Sequence, residues 1–546
     1  MIIKKCSAVL DPEVESGNVG SFKKVNYGHF EFRARLDKSP YALWFYFKLR
    51  NVNNRKIILD LLNTNEFMIQ KESWPRFNPV FSYNLKEWNR FQKGEVFYNN
   101  ENKIFSMSTT FKSNIVYIAS SFPYTFSDLN NFLTSKKNNP FLKISNIGNS
   151  GKGNEIKLLT IGNEDVSNNF KILITLRHHA MEASASFVLE GLIKYLLSDS
   201  KEALWLRENC IFKIIPMVNV DSILKGEFGK DSSPIDLNLD YYENPYHKEI
   251  KIIQSFILNW QKSKNIDFFI DFHCPEIDET HYIPFPGGNY LPSEYRKYLI
   301  SFAKFLEFNS NGMFMAKDCC EPYWVDIDLL ELSSGDVFWS EPIKTFSITP
   351  EISYRCNSKG DFTTLKSLRN LGRAYGKSLY MFFNKYGGNE IIKKNLTYES
   401  FTINSDNNEF SKWRYWNSDF KNCFLLKKEN GLNILRIVFK KERNITFITN
   451  EYTIIEKNKV RFKLEMKSEP YNNNSKVTVK ILPRFYGKNK RVLRVNTDNF
   501  FVKEIFLNWG DAILLTNIPN NAVMVRLLFE ITGEDIELHL KPIRIL

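Results

Sequence analysis

Two short stretches of this 546-residue sequence carry the residue types that metal chemistry needs. One is Arg177-His178-His179-Ala180-Met181-Glu182, where an imidazole and a carboxylate stand three residues apart, just after the apolar run Ile172-Leu173-Ile174. The other is Ile266–Cys274, IDFFIDFHC, where His273 follows a second hydrophobic run. Zinc takes nitrogen and oxygen ligands, and a catalytic zinc takes three protein groups with one position left open. His179, Glu182 and His273 are therefore a candidate metal set. A lone H-x-x-E is common on solvated helices. The set gains weight because both histidines follow strand-like runs, and open α/β sheets place ligands at the carboxyl ends of their strands. Amide hydrolysis at such a metal also needs a carboxylate to take and return a proton. Glu351 follows the apolar run Phe346–Thr349 and precedes a helical segment, so it can point into the site. A buried structural or helix-capping glutamate is the plain alternative. Cys274 reads as a packed thiol rather than a ligand.

The elements that must position these residues can be read from hydrophobic period. Strands are predicted over 171–177, 211–219, 266–273 and Phe346–Thr349, with helices over 182–197, 246–263 and 362–384 between and after them. The helix after Glu182 shows one broad apolar face of Phe187, Leu189, Leu192, Ile193, Leu196 and Leu197. This alternation predicts an α/β mixed sheet with helices on both faces, over residues 123–390. Residues 1–122 read as all-β, with short aromatic or β-branched runs at Tyr41–Leu49, Lys56–Leu62 and Asn114–Ala119. Strands so spaced suggest a sandwich. Residues 391–546 return to alternating strands, at Val460–Met466, Lys476–Leu482, Ala522–Phe529 and Asp535–Leu540, after the polar stretch Asn404–Asn408. They predict a second β-sandwich of jelly-roll type. The whole is a multidomain chain, two sandwiches flanking a central α/β domain.

Composition narrows the function classes. Hydrophobic residues at 43% and charged residues at 25% describe a globular protein, and no apolar run approaches the roughly 20 residues of a membrane helix. The start, MIIKKCSAVLDPEV, has no apolar signal region, which predicts a cytoplasmic protein, or a secreted one if a leader has been removed. Seven cysteines, odd in number and without a C-x-x-C pair, argue against a disulfide framework and against a cysteine zinc site. The net charge of +13 invites nucleic acid, but its distribution does not. Residues 1–125 carry roughly +7, 126–390 roughly −4 and 391–546 roughly +10. The basic excess lies outside the candidate site, and no nucleic-acid signature accompanies it. Neither a nucleic-acid nor a membrane partner is expected.

The middle segment resembles the zinc carboxypeptidase family, in particular its cytosolic branch. The residues that carry the resemblance are Arg177-x-His179-x-x-Glu182, Asn219-x-Asp221, Asp236-Leu237-Asn238, Phe269-Ile270-Asp271-Phe272-His273 and Thr349-x-Glu351. Upstream, Trp44–Phe47, Pro79-Val80 and Pro123-Tyr124-Thr125 look more loosely like the β-domain that precedes the catalytic domain in that branch. The resemblance implies a metallocarboxypeptidase-type sheet, zinc on His179, Glu182 and His273, and Glu351 as general base. It also implies that Asp236 stands behind His179 and fixes its tautomer. Three departures stand out. The family's Pro-Gly between the first two ligands is Ala180-Met181. Its Asn-Arg pair is Asn238-Leu239, so the arginine that grips a terminal carboxylate is missing. The oxyanion arginine aligns near Gly229-Lys230, which leaves Lys230, and Arg355 just past the base, as candidate cations. The implied activity is zinc-dependent hydrolysis of an amide bond, in a peptidoglycan stem peptide, a glycopeptide or a modified peptide tail. The missing arginine also allows a family member that binds a glycan or protein without turnover. The C-terminal sandwich is a candidate glycan-binding domain.

Overall fold

The computed structural model describes residues 7–286 apart from 68, 70, 163, 165–169, 242–244 and 278, then 293–316, 322–323 and 345–387. Beyond 400 it describes the strands between Phe401 and Ile545 with a few adjoining residues. The described residues divide into two compact units. One is made of 7–284, 299–316 and 345–387; the other is made of the strands beyond 400, with 285–286, 293–298 and 322–323.

Within the first unit, residues before 120 form two five-stranded sheets. One runs in the spatial order Val9–Asp11, Tyr46–Arg50, Ile115–Ala119, Val80–Ser82, Asn89–Arg90. The other runs Ser21–Asn26, His29–Arg33, Arg55–Leu61, Ile104–Phe111, Val96–Asn99. Phe32 of the second sheet meets Phe47 of the first at 5.2 Å between ring centroids, and Trp74, Phe77 and Phe105 extend this aromatic core. The predicted runs at Tyr41–Leu49, Lys56–Leu62 and Asn114–Ala119 correspond to central strands of these sheets.

The central part follows in one pass: α1 (Phe126–Thr134), β1 (Leu142–Asn149), β2 (Glu155–Ile161), β3 (Phe170–Leu176), α2 (Ser184–Leu196), α3 (Lys201–Asn209), β4 (Cys210–Ile215), α4 (Lys248–Trp260), β5 (Phe268–Phe272), β6 (Phe346–Ile348) and α5 (Leu365–Tyr386). The strands form one mixed sheet in the order β1-β2-β4-β3-β5-β6. β3 lies parallel to β4 and β5, and β5 parallel to β6, while β2 joins β4 antiparallel. β3 and β5 are buried on both faces, which is why they read as continuous apolar runs. Alternation along β5 divides its residues between two helical layers. Phe268 and Phe272 meet Phe382 and Tyr375 of α5. Phe269 faces the other way, into a cluster with Leu173 and with Ile250, Ile253 and Ile257 on the apolar stripe of α4. Several elements were not expected, among them β1, α3 and the helices Val220–Lys225 and Ser293–Asn309. β1 is a half-exposed edge strand, LKISNIGN, whose Asn, Ser and Gly residues hide its period, and α3 is a short, charged helix capped by Ser200.

α2 and α5 cross at the closest possible approach. A Cβ on Gly191 of α2 would lie 1.9 Å from the Arg369 carbonyl oxygen, and one on Gly372 of α5 would lie 1.9 Å from the Val188 carbonyl oxygen. Only glycine fits at either place.

In the second unit the described strands beyond 400 pair antiparallel, in an eight-stranded and a six-stranded sheet, while Phe285–Pro286 and Pro322–Tyr323 form a short parallel pair. All four predicted runs are strands, at Lys459–Pro470, Lys476–Tyr486, Met524–Glu534 and Ile536–Leu540. Asn404–Asn408 lies outside the described residues. No helix among the described residues is long and apolar enough to cross a membrane.

Candidate metal centre

β3 ends at Leu176 inside the protein, and Arg177 turns the chain there with φ of 65°. That left-handed backbone is uncommon for a residue with a Cβ. The buried guanidinium holds the turn. Its Nε donates to the Ala180 carbonyl at 3.0 Å, and Nη1 donates to the Tyr124 carbonyl at 3.1 Å and to Ser186 Oγ at 3.0 Å. His179 and Glu182 follow before α2 begins. His273 comes directly after β5. Its N–H donates to the Pro350 carbonyl at 2.9 Å, and the Ile352 N–H donates back to the His273 carbonyl at 2.8 Å. This pairing carries Glu351 alongside His273. On its other side the Glu351 N–H donates to the Tyr282 carbonyl at 2.8 Å and its carbonyl accepts from the Tyr282 N–H at 3.1 Å.

The ligand atoms of His179, Glu182 and His273 all lie within 4.8 Å of one another, and all three residues are buried. Both imidazoles turn Nδ1 inward. Nδ1 of His179 is 2.8 Å from Glu182 Oε1, and Nδ1 of His273 is 3.0 Å from Glu182 Oε2. Both turn Nε2 outward onto a carboxylate, Asp236 Oδ2 at 3.2 Å and Asp271 Oδ2 at 3.0 Å. Asp271 is itself braced. Its Oδ1 accepts from Thr175 Oγ1 at 2.7 Å and lies 3.1 Å from His178 Nδ1, while His178 Nε2 is 2.8 Å from the Tyr241 hydroxyl. With a metal bound, one set of protons would suit this chain: Tyr241 and Thr175 donate through their hydroxyls, His178 carries its proton on Nδ1 toward Asp271, and His273 carries its own on Nε2. That tautomer would leave the Nδ1 lone pair of His273, on the side of Glu182, for a metal ion.

The electrostatics follow from burying this much negative charge. Burial works against a charged His179, but Glu182 and Asp236 more than offset it and raise its pKa to about 9. Asp271 and Glu182 likewise raise His273 well above the usual range. Burial would push Glu182 up, yet His179 and His273 hold it well below the usual carboxylate range. Glu182 Oε2 is buried without an aligned hydrogen bond. Two inward imidazole nitrogens, an orphaned carboxylate oxygen between them and an anchored Nε2 behind each are the donor set that zinc takes. Glu351 Oε2 is also buried without a donor. Burial, with the Glu182 charge, pushes the Glu351 carboxyl up to about 7 against the pull of His273, Lys230 and His179.

The remaining expected residues are placed as follows. Asp236 accepts the Asp231 N–H at 2.5 Å and the Asn238 N–H at 2.7 Å, so the loop bearing Asn238 and Lys230 wraps the acid behind His179. Of the two candidate cations, Lys230 acts on the Glu351 carboxyl. Arg355 is directed to Asn78 of the N-terminal sheets, at 3.4 Å from Nε to Oδ1, with its guanidinium 5.4 Å from the Phe362 ring centroid. Asn219 and Asp221 are scaffolding. Asn219 Nδ2 donates to the His178 carbonyl at 3.1 Å, and Asp221 accepts from Ser150 Oγ, the Lys152 N–H and Asn154 Nδ2. The N-terminal sheets brace both loops beside the site. Asp37 Oδ2 accepts the N–H groups of Phe228 at 2.5 Å and Gly229 at 3.1 Å, and Asn18 Nδ2 donates to the Gly226 carbonyl at 2.7 Å. Arg90 Nη2 donates to the Tyr354 carbonyl at 2.6 Å and to Thr363 Oγ1 at 2.8 Å.

Asp271, Thr175, His178 and Tyr241 were not singled out from the sequence as parts of the site. A signal existed for two of them. Asp271 stands two residues before His273 and shares its face of the strand, and Thr175 is its register partner on β3.

Residues 10–121 match the family model described as the cytosolic carboxypeptidase N-terminal domain, and residues 130–223 match that of zinc carboxypeptidase. The second match includes His179 and Glu182 and stops short of His273 and Glu351. Over 253 residues the chain is 32% identical to cytosolic carboxypeptidase 2 of Xenopus tropicalis, covering 42% of this chain and 26% of that protein. Over 314 residues it is 27% identical to cytosolic carboxypeptidase 6 of Mus musculus, covering 54% of this chain and 57% of that protein. The matched region thus spans between about a quarter and somewhat over half the length of these relatives. The crystal structure of a metallo-carboxypeptidase from Burkholderia cenocepacia matches with a TM-score of 0.61 at 20% identity, over 70% of this chain and 100% of that one. At that identity the likeness is one of fold.

Proposed function

Because this chain belongs to the zinc carboxypeptidase family and carries the N-terminal domain of its cytosolic branch, we propose that it hydrolyses peptide amide bonds. In this reading His179, Glu182 and His273 hold zinc and Glu351 is the general base. The observation that carries it is the pair of inward Nδ1 atoms around an orphaned Glu182 oxygen, with a second orphaned carboxylate, Glu351, paired to His273 along the backbone. Bound there, zinc supplies Lewis acidity toward water and toward a substrate carbonyl. Glu351 takes a proton from the attacking water as the new C–O bond forms, and returns it to the amine nitrogen as the C–N bond breaks. A pKa lifted toward neutrality suits a group that must do both. Asp236 and Asp271 hold the histidine tautomers. Lys230 supplies positive charge beside Glu351 for the developing oxyanion, as a point charge without the fork of an arginine. Asn238 belongs to the substrate side of the same loop.

Leu239, where the family has an arginine, argues for a substrate whose terminal carboxylate is not gripped at that point. A modified peptide tail, a stem peptide or a glycopeptide meets that condition. A cytosolic location accompanies the reading, on the names of the relatives. The second reading, a member that holds zinc and binds without turnover, rests on Leu239 alone. Incubation of the zinc-loaded protein with a peptide library, with Glu351→Gln as control, separates the two. Metal-dependent cleavage lost in the variant supports the hydrolase, and stoichiometric zinc with no turnover on any amide supports the binder. Cleavage that survives Glu351→Gln would remove the assigned base.

A further inference from the structure

A cavity of about 370 Å³ lies where the N-terminal sheets meet the start of α1, and it shares no lining residue with the candidate metal centre. One part of its wall is aromatic. Tyr46 and Trp88 stand 6.3 Å apart between ring centroids and are tilted by 57°, and Tyr117 joins them. The rest is acidic, with Glu13, Glu15 and Asp128. The lysine in the lining, Lys48, is already engaged, 2.9 Å from the Glu13 carbonyl and 3.1 Å from Asp11 Oδ2. The lining is therefore net negative, inside a domain whose residues 1–125 carry roughly +7.

The acids are fixed in place. Glu15 Oε1 accepts the Ser127 N–H at 2.9 Å, and Asp128 Oδ2 accepts the Thr125 N–H at 2.8 Å and its hydroxyl at 2.9 Å. Each is tied through one oxygen among the described residues. Tyr46 supplies an independent sign. It is 4% exposed, yet its hydroxyl has no hydrogen-bond partner among the described residues. Burial raises its pKa, and Asp128, Tyr117 and Glu15 raise it further. The ring is buried while the residue lines the cavity, where a bound donor could reach its hydroxyl.

We propose that this cavity binds an alkylammonium cation, of the kind presented by a lysine side chain or a free diamine. Aromatic faces attract a cation through their quadrupoles, and the carboxylates compensate for its lost water. The ammonium N–H groups would donate to Tyr46 Oη and to the oxygens that Glu15 and Asp128 leave open. An anion meets three carboxylates there, and a neutral alkyl chain leaves the Tyr46 hydroxyl orphaned.

Calorimetric titration of the full chain with cadaverine, and separately with N-acetyl-lysine amide, tests this. The expected result is one-to-one binding of at least one of them at millimolar concentration. It should weaken about tenfold in Glu15→Gln and in Trp88→Leu, fall with added salt, and be absent for N-acetyl-norleucine amide. Binding of the lysine amide alone identifies a partner's lysine as the ligand; binding of cadaverine alone identifies a free diamine. No heat from either cation overturns the proposal, as does binding undiminished in both variants or matched by the norleucine compound. Glu15→Gln keeps the oxygen that accepts from Ser127, so it decides the matter should Trp88→Leu fail to fold.

Discussion

The ligand side of the candidate metal centre and its proposed cation side are built by different means. His179, Glu182 and His273 stand where β3 and β5 end, and the acids behind them, Asp236 and Asp271, belong to the same central domain. Lys230 and Arg355 stand on loops whose backbones are tied down by Asp37, Asn18 and Arg90 of the N-terminal sheets. The sheet thus fixes where a metal would sit, while a neighbouring domain fixes the loops that carry Lys230 and Arg355. In the proposed reading the N-terminal domain would act on the chemistry through these loops, its described residues offering no member of the His179, Glu182 and His273 set. Substitutions on the two sides should then be separable by whether they change metal affinity or turnover.

The largest effect is expected at the boundary of the two sides. Glu351→Gln should retain stoichiometric zinc and lose about 10²–10⁴ in amide hydrolysis, read by metal analysis and steady-state rates on one preparation. Next, Asp271→Asn should weaken zinc about 10–100-fold in chelator competition, because the outward nitrogen of His273 loses its charged anchor. Asp37→Ala is its counterpart. It should leave zinc affinity unchanged and lower kcat/KM about tenfold, since two N–H groups that hold the Lys230 loop lose a charged acceptor. Equal zinc affinity in the Asp271 and Asp37 variants would erase the distinction. The smallest effect is in protons. With its pKa raised to about 9, metal-free His179 is protonated at neutral pH. Zinc must displace that proton, so binding should release protons and weaken as pH falls below about 9. Calorimetry in buffers of different ionisation enthalpy reads the release directly.

The ligand side was the legible one. β3 and β5 are apolar on both faces, so Ile172-Leu173-Ile174 and Phe268-Phe269-Ile270 announce themselves, and each delivers its histidine within three residues of its end. The outer parts hid for physical reasons. β1 is an edge strand, so Asn146 and Gly148 break its period at no cost to a buried face. Asp271 is an acid inside a hydrophobic run, and nothing local says that two imidazoles and a threonine will neutralise it. Arg355 follows Glu351 by four residues, but its direction is decided by Asn78, 277 residues away in the chain. The cation side depends on pairings between distant segments, and spacing along a sequence does not encode those.

The bare crossing of α2 over α5 has a consequence for coordination. Glu182 sits just ahead of α2, so the helix acts as a lever whose fulcrum is the contact of Gly191 with the Arg369 carbonyl. A single methyl group at the fulcrum would push α2 off α5, and the displacement would carry to the carboxylate at the helix's near end.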